Sequence, residues 1–233
     1  MSSDARYAIY FGPAAETALF DLGRVWLGRD VVTGRTRPQP TVPGITEDRM
    51  AALTRSPRFY GFHGTLKAPF SLAPGRTAEQ LHGEVLAFAA DSAAFMSPPL
   101  VLESLDGFLA LVFSRPCAEM RALCDDCVEM FEPFRAPLSP EDQERRLRSP
   151  LTERQRDYLD RWGYPGVFDE FTFHMTLTSR LQEPEHSLIR DTLEDLAAPV
   201  LWEPAWIDAI AIYEQPDRET PFTMTARYPL GRR

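Results

Sequence analysis

Positive charge is in deficit. The 233 residues include 25 Lys and Arg against 34 Asp and Glu, a formal net charge of −9, so the clustered cations that give affinity for a nucleic-acid backbone are lacking. A long nucleic acid is therefore not an expected partner, whereas a small phosphorylated ligand needs only a few local cations. Long apolar runs are missing too: 44% of residues are hydrophobic and 25% charged, as in an ordinary globular protein, and no stretch is apolar enough to span a bilayer, so no membrane partner is expected. The opening Met1-Ser2-Ser3-Asp4-Ala5-Arg6 has no basic segment leading into an apolar one, so no secretory signal is expected and the cytoplasm is the expected compartment. Nothing in the sequence sets an oligomeric state.

Cysteine is scarce. Cys117, Cys124 and Cys127 crowd one predicted helix, and although Cys124-Asp-Asp-Cys127 has C-x-x-C spacing, a zinc site usually needs a second ligand pair that no other Cys or nearby His supplies. Reduced thiols on a helix are the simpler expectation, with no metal and no cofactor. Histidine is nearly as rare, at four residues, which makes the context of each one informative.

The chain alternates strand and helix signals. Arg6–Phe11 reads as a short aromatic-rich strand, stopped by Gly12-Pro13, with a helix from Pro13 to about Trp26. Gly28–Gly44 is a Gly-, Pro- and Arg-rich loop, long enough to serve the site or to move. A short helix opens at Thr46 and is expected to end near Ser56-Pro57, before a strand over about Phe59–Phe70. Thr77 caps a helix to about Ala90, and strands Leu100–Leu105 and Phe108–Phe113 flank Asp106-Gly107, a strong hairpin signal. Glu119–Phe131 reads as a helix, Pro133–Pro150 as a charged exposed excursion, and Thr152–Trp162 as a further helix. After the turn Gly163-Tyr-Pro-Gly166 come a strand over Phe171–Arg180, a helix near Glu185–Leu196 and strands near Trp206–Tyr213 and Phe222–Tyr228.

Two of the four histidines open the same word. His63-Gly64-Thr65-Leu66 lies within Phe62–Phe70, and His174-Met175-Thr176-Leu177 within Phe171–Arg180; in both, polar and apolar residues alternate at the period of a strand. Parity then puts His63, Thr65 and Lys67 on one face of the first strand, and Glu170, Thr172, His174, Thr176 and Thr178 on one face of the second. Each His strand is followed by a helix and two strands, which suggests two related lobes with one motif in each, in a single domain spanning residues 1–233.

Such a pair suits one reaction well. Hydrolysing a cyclic phosphodiester takes a base for water, an acid for the departing sugar oxygen and donors for the non-bridging oxygens. An imidazole, with an ordinary pKa of about 6.5, can fill either proton-transfer role at neutral pH. The hydroxyls of Thr65 and Thr176 and the ammonium of Lys67 would be the donors.

The paired His-x-Thr words on amphipathic strands about a hundred residues apart resemble the signature of the 2H phosphoesterase superfamily. More closely, Arg6-Tyr-Ala-Ile-Tyr-Phe, Phe59-Tyr-Gly-Phe-His-Gly-Thr-Leu-Lys-Ala-Pro-Phe70 and Trp162-Gly-Tyr-Pro through Phe173-His-Met-Thr-Leu-Thr178 are similar to a branch whose genes accompany phosphonate-degradation operons. The resemblance implies a two-lobed pseudo-symmetric α+β fold, antiparallel sheets flanking a central cleft with helices outside. It implies His63 and His174 as catalytic acid and base, in an order the sequence leaves open, and Thr65 and Thr176 as phosphate donors. For the branch it implies a small phosphorylated sugar as substrate, phosphoribosyl 1,2-cyclic phosphate being the natural one. An enzyme processing RNA 2′,3′-cyclic termini and a non-catalytic phosphometabolite-binding protein are the alternatives.

The second phosphate of such a substrate needs cations of its own, drawn from Lys67, Arg6, Arg58, Arg145 or Arg146, and Tyr7, Tyr10 or Tyr60 could line the pocket, as could Thr178 from the face of His174. Against these stand plainer expectations. The Arg145-Arg146-Leu-Arg148 run reads as a solvated face, Thr178 and Thr172 as packing threonines, Glu170 as an exposed strand start, and His82 and His186 as surface or capping residues.

Overall fold

A computed structural model describes residues 5–231. In chain order its elements are β1 (Arg6–Phe11), α1 (Ala18–Trp26), α2 (Glu47–Tyr60), β2 (Gly64–Phe70), α3 (Ala78–Asp91), β3 (Phe95–Leu105), β4 (Phe108–Phe113), α4 (Ala118–Met130), α5 (Pro140–Leu147), α6 (Glu153–Trp162), β5 (Met175–Thr176), α7 (Glu185–Ala197), β6 (Pro204–Ile207), β7 (Ala209–Gln215) and β8 (Thr223–Pro229). The strands form two antiparallel four-stranded sheets, ordered β2-β1-β7-β8 and β5-β4-β3-β6. The fold is thus α+β with two matching sheets, and each motif threonine lies on the edge strand of its sheet, with its histidine immediately before the strand.

The expected recurrence is present with a twist in its wiring. The β3–β4 hairpin follows the first motif in sequence but pairs with the strand of the second, while β7–β8, after the second motif, joins the sheet of the first. This exchange binds the two sheets into one core. Ile9, Leu66 and Ile210 from the first sheet share a continuous apolar cluster with Leu102, Leu111 and Met175 from the second, and α1, α3, α4 and α7 add Trp26, Leu81, Leu123 and Leu193. On β1 the period of two divides the strand: Ile9 and Phe11 enter this core, whereas Ala8 and Tyr10 join a smaller cluster with Val31, Tyr213 and Phe222 on the other face.

Several expectations change. The helix expected from Pro13 starts only at Ala18, capped by Thr17, and the strand expected near Trp206–Tyr213 divides into β6 and β7, which join different sheets. α2 does not stop at Pro57 but runs through it to Tyr60. A proline lacks the N–H that would bond the carbonyl four residues back, and here the freed carbonyl of Leu53 accepts instead from Ser179 N–H at 2.6 Å, tying α2 to the segment after the second motif. The Phe171–Arg180 strand shrinks to the two ladder residues of β5, although Phe173, Met175 and Leu177 remain buried as alternation requires. The Pro133–Pro150 excursion contains α5, which Ser139 caps by accepting from Asp142 N–H and which starts at Pro140. The Gly28–Gly44 loop is tied down by the Arg29–Thr36 bridge and by Gln39, whose amide donates to Trp26 O at 2.7 Å.

Candidate functional site

The two motifs meet at one cleft. A cavity of about 260 Å³ is lined by His63, Thr65 and Thr176, by the cations Arg6, Arg145 and Arg146, and by Tyr10, Tyr60 and Tyr164. His174 is not part of that lining; it is half-buried, two residues before Thr176, and close enough for its charge to lower the pKa of His63. Close approach of the motif segments accounts for Gly64 in the first word: a Cβ there would lie 2.5 Å from the ring of Phe173, the residue before His174.

Both imidazoles are held by the same device. The carbonyl two residues back, Gly61 O for His63 at 2.7 Å and Thr172 O for His174 at 2.8 Å, meets Nδ1. A carbonyl only accepts, so Nδ1 carries the hydrogen and Nε2 of the neutral ring keeps its lone pair. For His63 the carbonyl is presented by Gly61, whose φ of 79° is a left-handed conformation that favours glycine. His63 Nε2 is 3.2 Å from Thr65 Oγ1, where the hydroxyl donates to the neutral ring. The ring stacks on Tyr10, centroids 3.6 Å apart and planes within 14°, and Tyr213 fixes the preceding residue by donating its phenol to Phe62 O at 3.0 Å. Burial pushes the His63 pKa down to about 4, the Gly61 hydrogen bond opposing and His174 adding to the fall.

Cations gather from two elements. Arg6 on β1 is buried, donates through Nε to Gln215 Oε1 at 2.6 Å and lies 5.2 Å from the centroid of Phe222. Arg146 on α5 lies 4.8 Å from the centroid of Tyr164, and its Nε is buried without an acceptor. Burial lowers the pKa of both, with Arg218 next for Arg6 and Tyr164 opposing for Arg146. Arg145 donates to Asp142 Oδ1 at 2.8 Å. Partly desolvated guanidinium groups with donors to spare favour an anion.

Other sequence candidates lie elsewhere. Lys67, expected on the face of His63 and Thr65, is buried and donates to Val128 O at 2.8 Å and Glu132 Oε2 at 2.9 Å. The cause is a slip in the ladder: Tyr10 faces Thr65, but Ile9 faces Lys67, so β2 carries an extra residue between them. Cross-strand partners share a face, so Thr65 stays with Tyr10 at the cavity while Lys67 turns with Ile9 toward the core. Burial lowers the pKa of Lys67 and its contacts with Glu132 oppose the shift. Thr178 is buried, with Oγ1 accepting from Leu109 N–H at 2.9 Å. Arg58 turns away to donate to Gly28 O at 2.8 Å, and Tyr7 packs on the larger core. Glu170 accepts from Gln155 rather than from an imidazole.

Arg145 and Arg146, read also as a solvated face, border the cavity because α5 lies beside it. Tyr164 carries no signal in the sequence beyond the turn that holds it. His82 meets Tyr228 and Glu214, and His186 meets Ser104. Cys124 and Cys127 are buried free thiols whose pKa values burial raises. Among the described residues no group of three or more His, Cys, Asp or Glu is placed to hold a metal ion, and no helix is long and apolar enough to cross a membrane. A separate cavity of about 370 Å³, with Phe11, Leu19 and Trp206 in its wall, contains none of the motif residues.

Comparison with known proteins gives a relative in Janthinobacterium sp. (strain Marseille), named "Ribose 1,5-bisphosphate phosphokinase PhnN", 36% identical over 233 residues, covering 98% of this chain and 51% of the relative. A protein of the same name in Laribacter hongkongensis (strain HLHK9) is 32% identical over 223 residues, covering 94% of this chain and 50% of its own length. The chain spans about half the length of these curated relatives. Among solved structures, E. coli LigT complexed with NADP+ is similar at 14% identity and a TM-score of 0.43, over 99% of each chain. The family described as "Protein of unknown function (DUF1045)" matches residues 65–223, from the first motif threonine to β8, and the chain belongs to that family.

Proposed function

We propose that the chain is a cyclic phosphodiesterase of the two-histidine, 2H phosphoesterase type. Its substrate is a small phosphorylated sugar bearing a cyclic phosphate, with phosphoribosyl 1,2-cyclic phosphate the leading compound, and no metal takes part. The observation that carries this is the convergence of His63, Thr65 and Thr176 on one cavity with His174 beside it.

His63, neutral at pH 7 with its pKa near 4, is the base, which assigns the acid role to His174. Nε2 of His63 takes a proton from water as the water oxygen bonds to phosphorus. The bond from phosphorus to one ring oxygen breaks, and Nε2 of protonated His174 gives that oxygen its proton, leaving a phosphomonoester and a free hydroxyl. Protons then exchange with solvent to reset both rings. With substrate bound, the Thr65 hydroxyl turns from Nε2 of His63, freeing that lone pair for water, and Thr65 and Thr176 donate to the non-bridging oxygens, where charge grows during attack. Arg6, Arg145 and Arg146 take the second phosphate.

The names of the curated relatives concern a phosphorylated ribose, which agrees in class with this substrate. The present chain has no Gly-x-x-x-x-Gly-Lys-Ser/Thr loop, the usual cradle for nucleotide phosphates, so phosphoryl transfer from a nucleotide is not part of the proposal. The test is incubation, with chelator present, with phosphoribosyl 1,2-cyclic phosphate and with nucleoside 2′,3′-cyclic phosphates. Turnover of the sugar compound that disappears in a His63→Ala, His174→Ala double variant is expected. No turnover of either class, or undiminished turnover by the double variant, would sink the proposal.

A further inference from the structure

α5 owes its position to charge more than to packing. It buries no residue whole, and the Arg146 side chain in part against Tyr164, yet it brings Arg145 and Arg146 to the cavity. Asp142, on the same helix, accepts from both Nη1 and Nη2 of Arg218, at 3.0 and 2.7 Å. Arg218 lies in the turn between β7 and β8, in the sheet that also supplies Arg6 and Thr65. The pair therefore fastens the helix to the sheet of the first motif. Asp142 also accepts from Arg145, so one carboxylate orients one cavity cation and seats the helix bearing the other.

The geometry suits that task. An Arg–carboxylate fork fixes orientation as well as charge, and the Asp142 side chain is only 13% exposed against 35% for Arg218, which spares the pair part of the screening that weakens open surface pairs. Neither Asp142 nor Arg218 lines the cavity.

We infer that Asp142 and Arg218 are positioning residues: their fork seats α5 so that Arg145 and Arg146 complete, with Arg6, the subsite for a second anionic group, and preference for doubly phosphorylated ligands depends on it. The inference rests on the proposed function for what occupies the rest of the cavity, but the subsite it describes binds an anion whether or not turnover occurs.

Ribose 5-phosphate, titrated calorimetrically into the full chain, reads this subsite without chemistry. Asp142→Asn and Arg218→Gln should each weaken its binding about ten-fold, as for loss of one charge-assisted hydrogen bond. Asp142→Glu should keep most of the affinity, and the reversed pair Asp142→Arg, Arg218→Asp should recover part of it. In steady state the neutral variants should raise KM for phosphoribosyl 1,2-cyclic phosphate more than they lower kcat, and raise KM for a nucleoside 2′,3′-cyclic phosphate far less. No binding of ribose 5-phosphate to the wild-type chain, unchanged affinity in both neutral variants, or equal losses for the two cyclic substrates would overturn the latch. If the wild-type chain turned over neither cyclic substrate while ribose 5-phosphate binding fell as stated, the proposed function would fail and the latch would stand.

Discussion

Acidification should destabilise the fold well before it charges the site histidine. With its pKa held near 4 by burial, His63 is neutral in the folded protein down to that pH, whereas in the unfolded chain it protonates at about 6.5. Above the unfolded value both states are neutral, and the full contribution to stability is present. As pH falls from about 6.5 toward 4 the unfolded chain binds a proton that the folded protein does not, so stability is lost, and below the folded value the loss is complete. The shift of about 2.5 units corresponds to about 3 kcal/mol at most, and about 2 kcal/mol of it falls between about pH 7 and pH 4.5.

Urea denaturation of the wild-type protein and a His63→Gln variant at those two pH values isolates this contribution. Carboxylates whose pKa the fold lowers, such as Asp30 and Asp142, destabilise both proteins in acid alike and cancel in the comparison. The wild type should lose about 2 kcal/mol more than the variant. Proton NMR supplies the direct value, since only four histidines give C2 signals. A His63 midpoint near 6.5, together with equal pH dependence in the two proteins, would refute the burial of a neutral base.

Lys67→Met should cost about 1 to 3 kcal/mol in urea denaturation, because the Val128 carbonyl loses its donor while Glu132 keeps Arg135, and should leave KM within about two-fold of wild type because Lys67 does not reach the cavity; a ten-fold rise in KM would put the ammonium on the substrate. Gly64→Ala drives a methyl into Phe173 and should lower stability by about 1 to 3 kcal/mol, and kcat should fall with it as the residue beside His174 is displaced; unchanged melting and kcat would mean that the two motif segments are not packed as described.

Legibility in the sequence followed the physics of each segment. The alternation around His63 and His174 was readable because a strand edge with one apolar face imposes a period of two, and His63, Thr65 and Thr176 duly share a cavity. Lys67 misled because parity holds only while the ladder is unbroken, and the slip between Tyr10–Thr65 and Ile9–Lys67 leaves no mark in the residue pattern. Thr178 misled for a related reason: β5 ends at Thr176, so strand parity no longer applies. Pro57 signals a helix end by its own chemistry, yet the Leu53 carbonyl it leaves unbonded accepts from Ser179, a contact between segments over a hundred residues apart. α5 has no apolar stripe to reveal it, although Ser139-Pro140 is an ordinary helix start. Its placement over the cavity depends on Arg218, far along the chain, and that could not be read locally.

The claim that two histidines share one phosphate is tested most directly by kcat/KM for phosphoribosyl 1,2-cyclic phosphate, measured with chelator present for wild type, His63→Ala, His174→Ala and the double variant. Each single change should cost about 100- to 10,000-fold, and the double variant should lose little more than the worse single one, because groups acting in one step are not additive. Wild-type kcat/KM in either single variant would contradict the account.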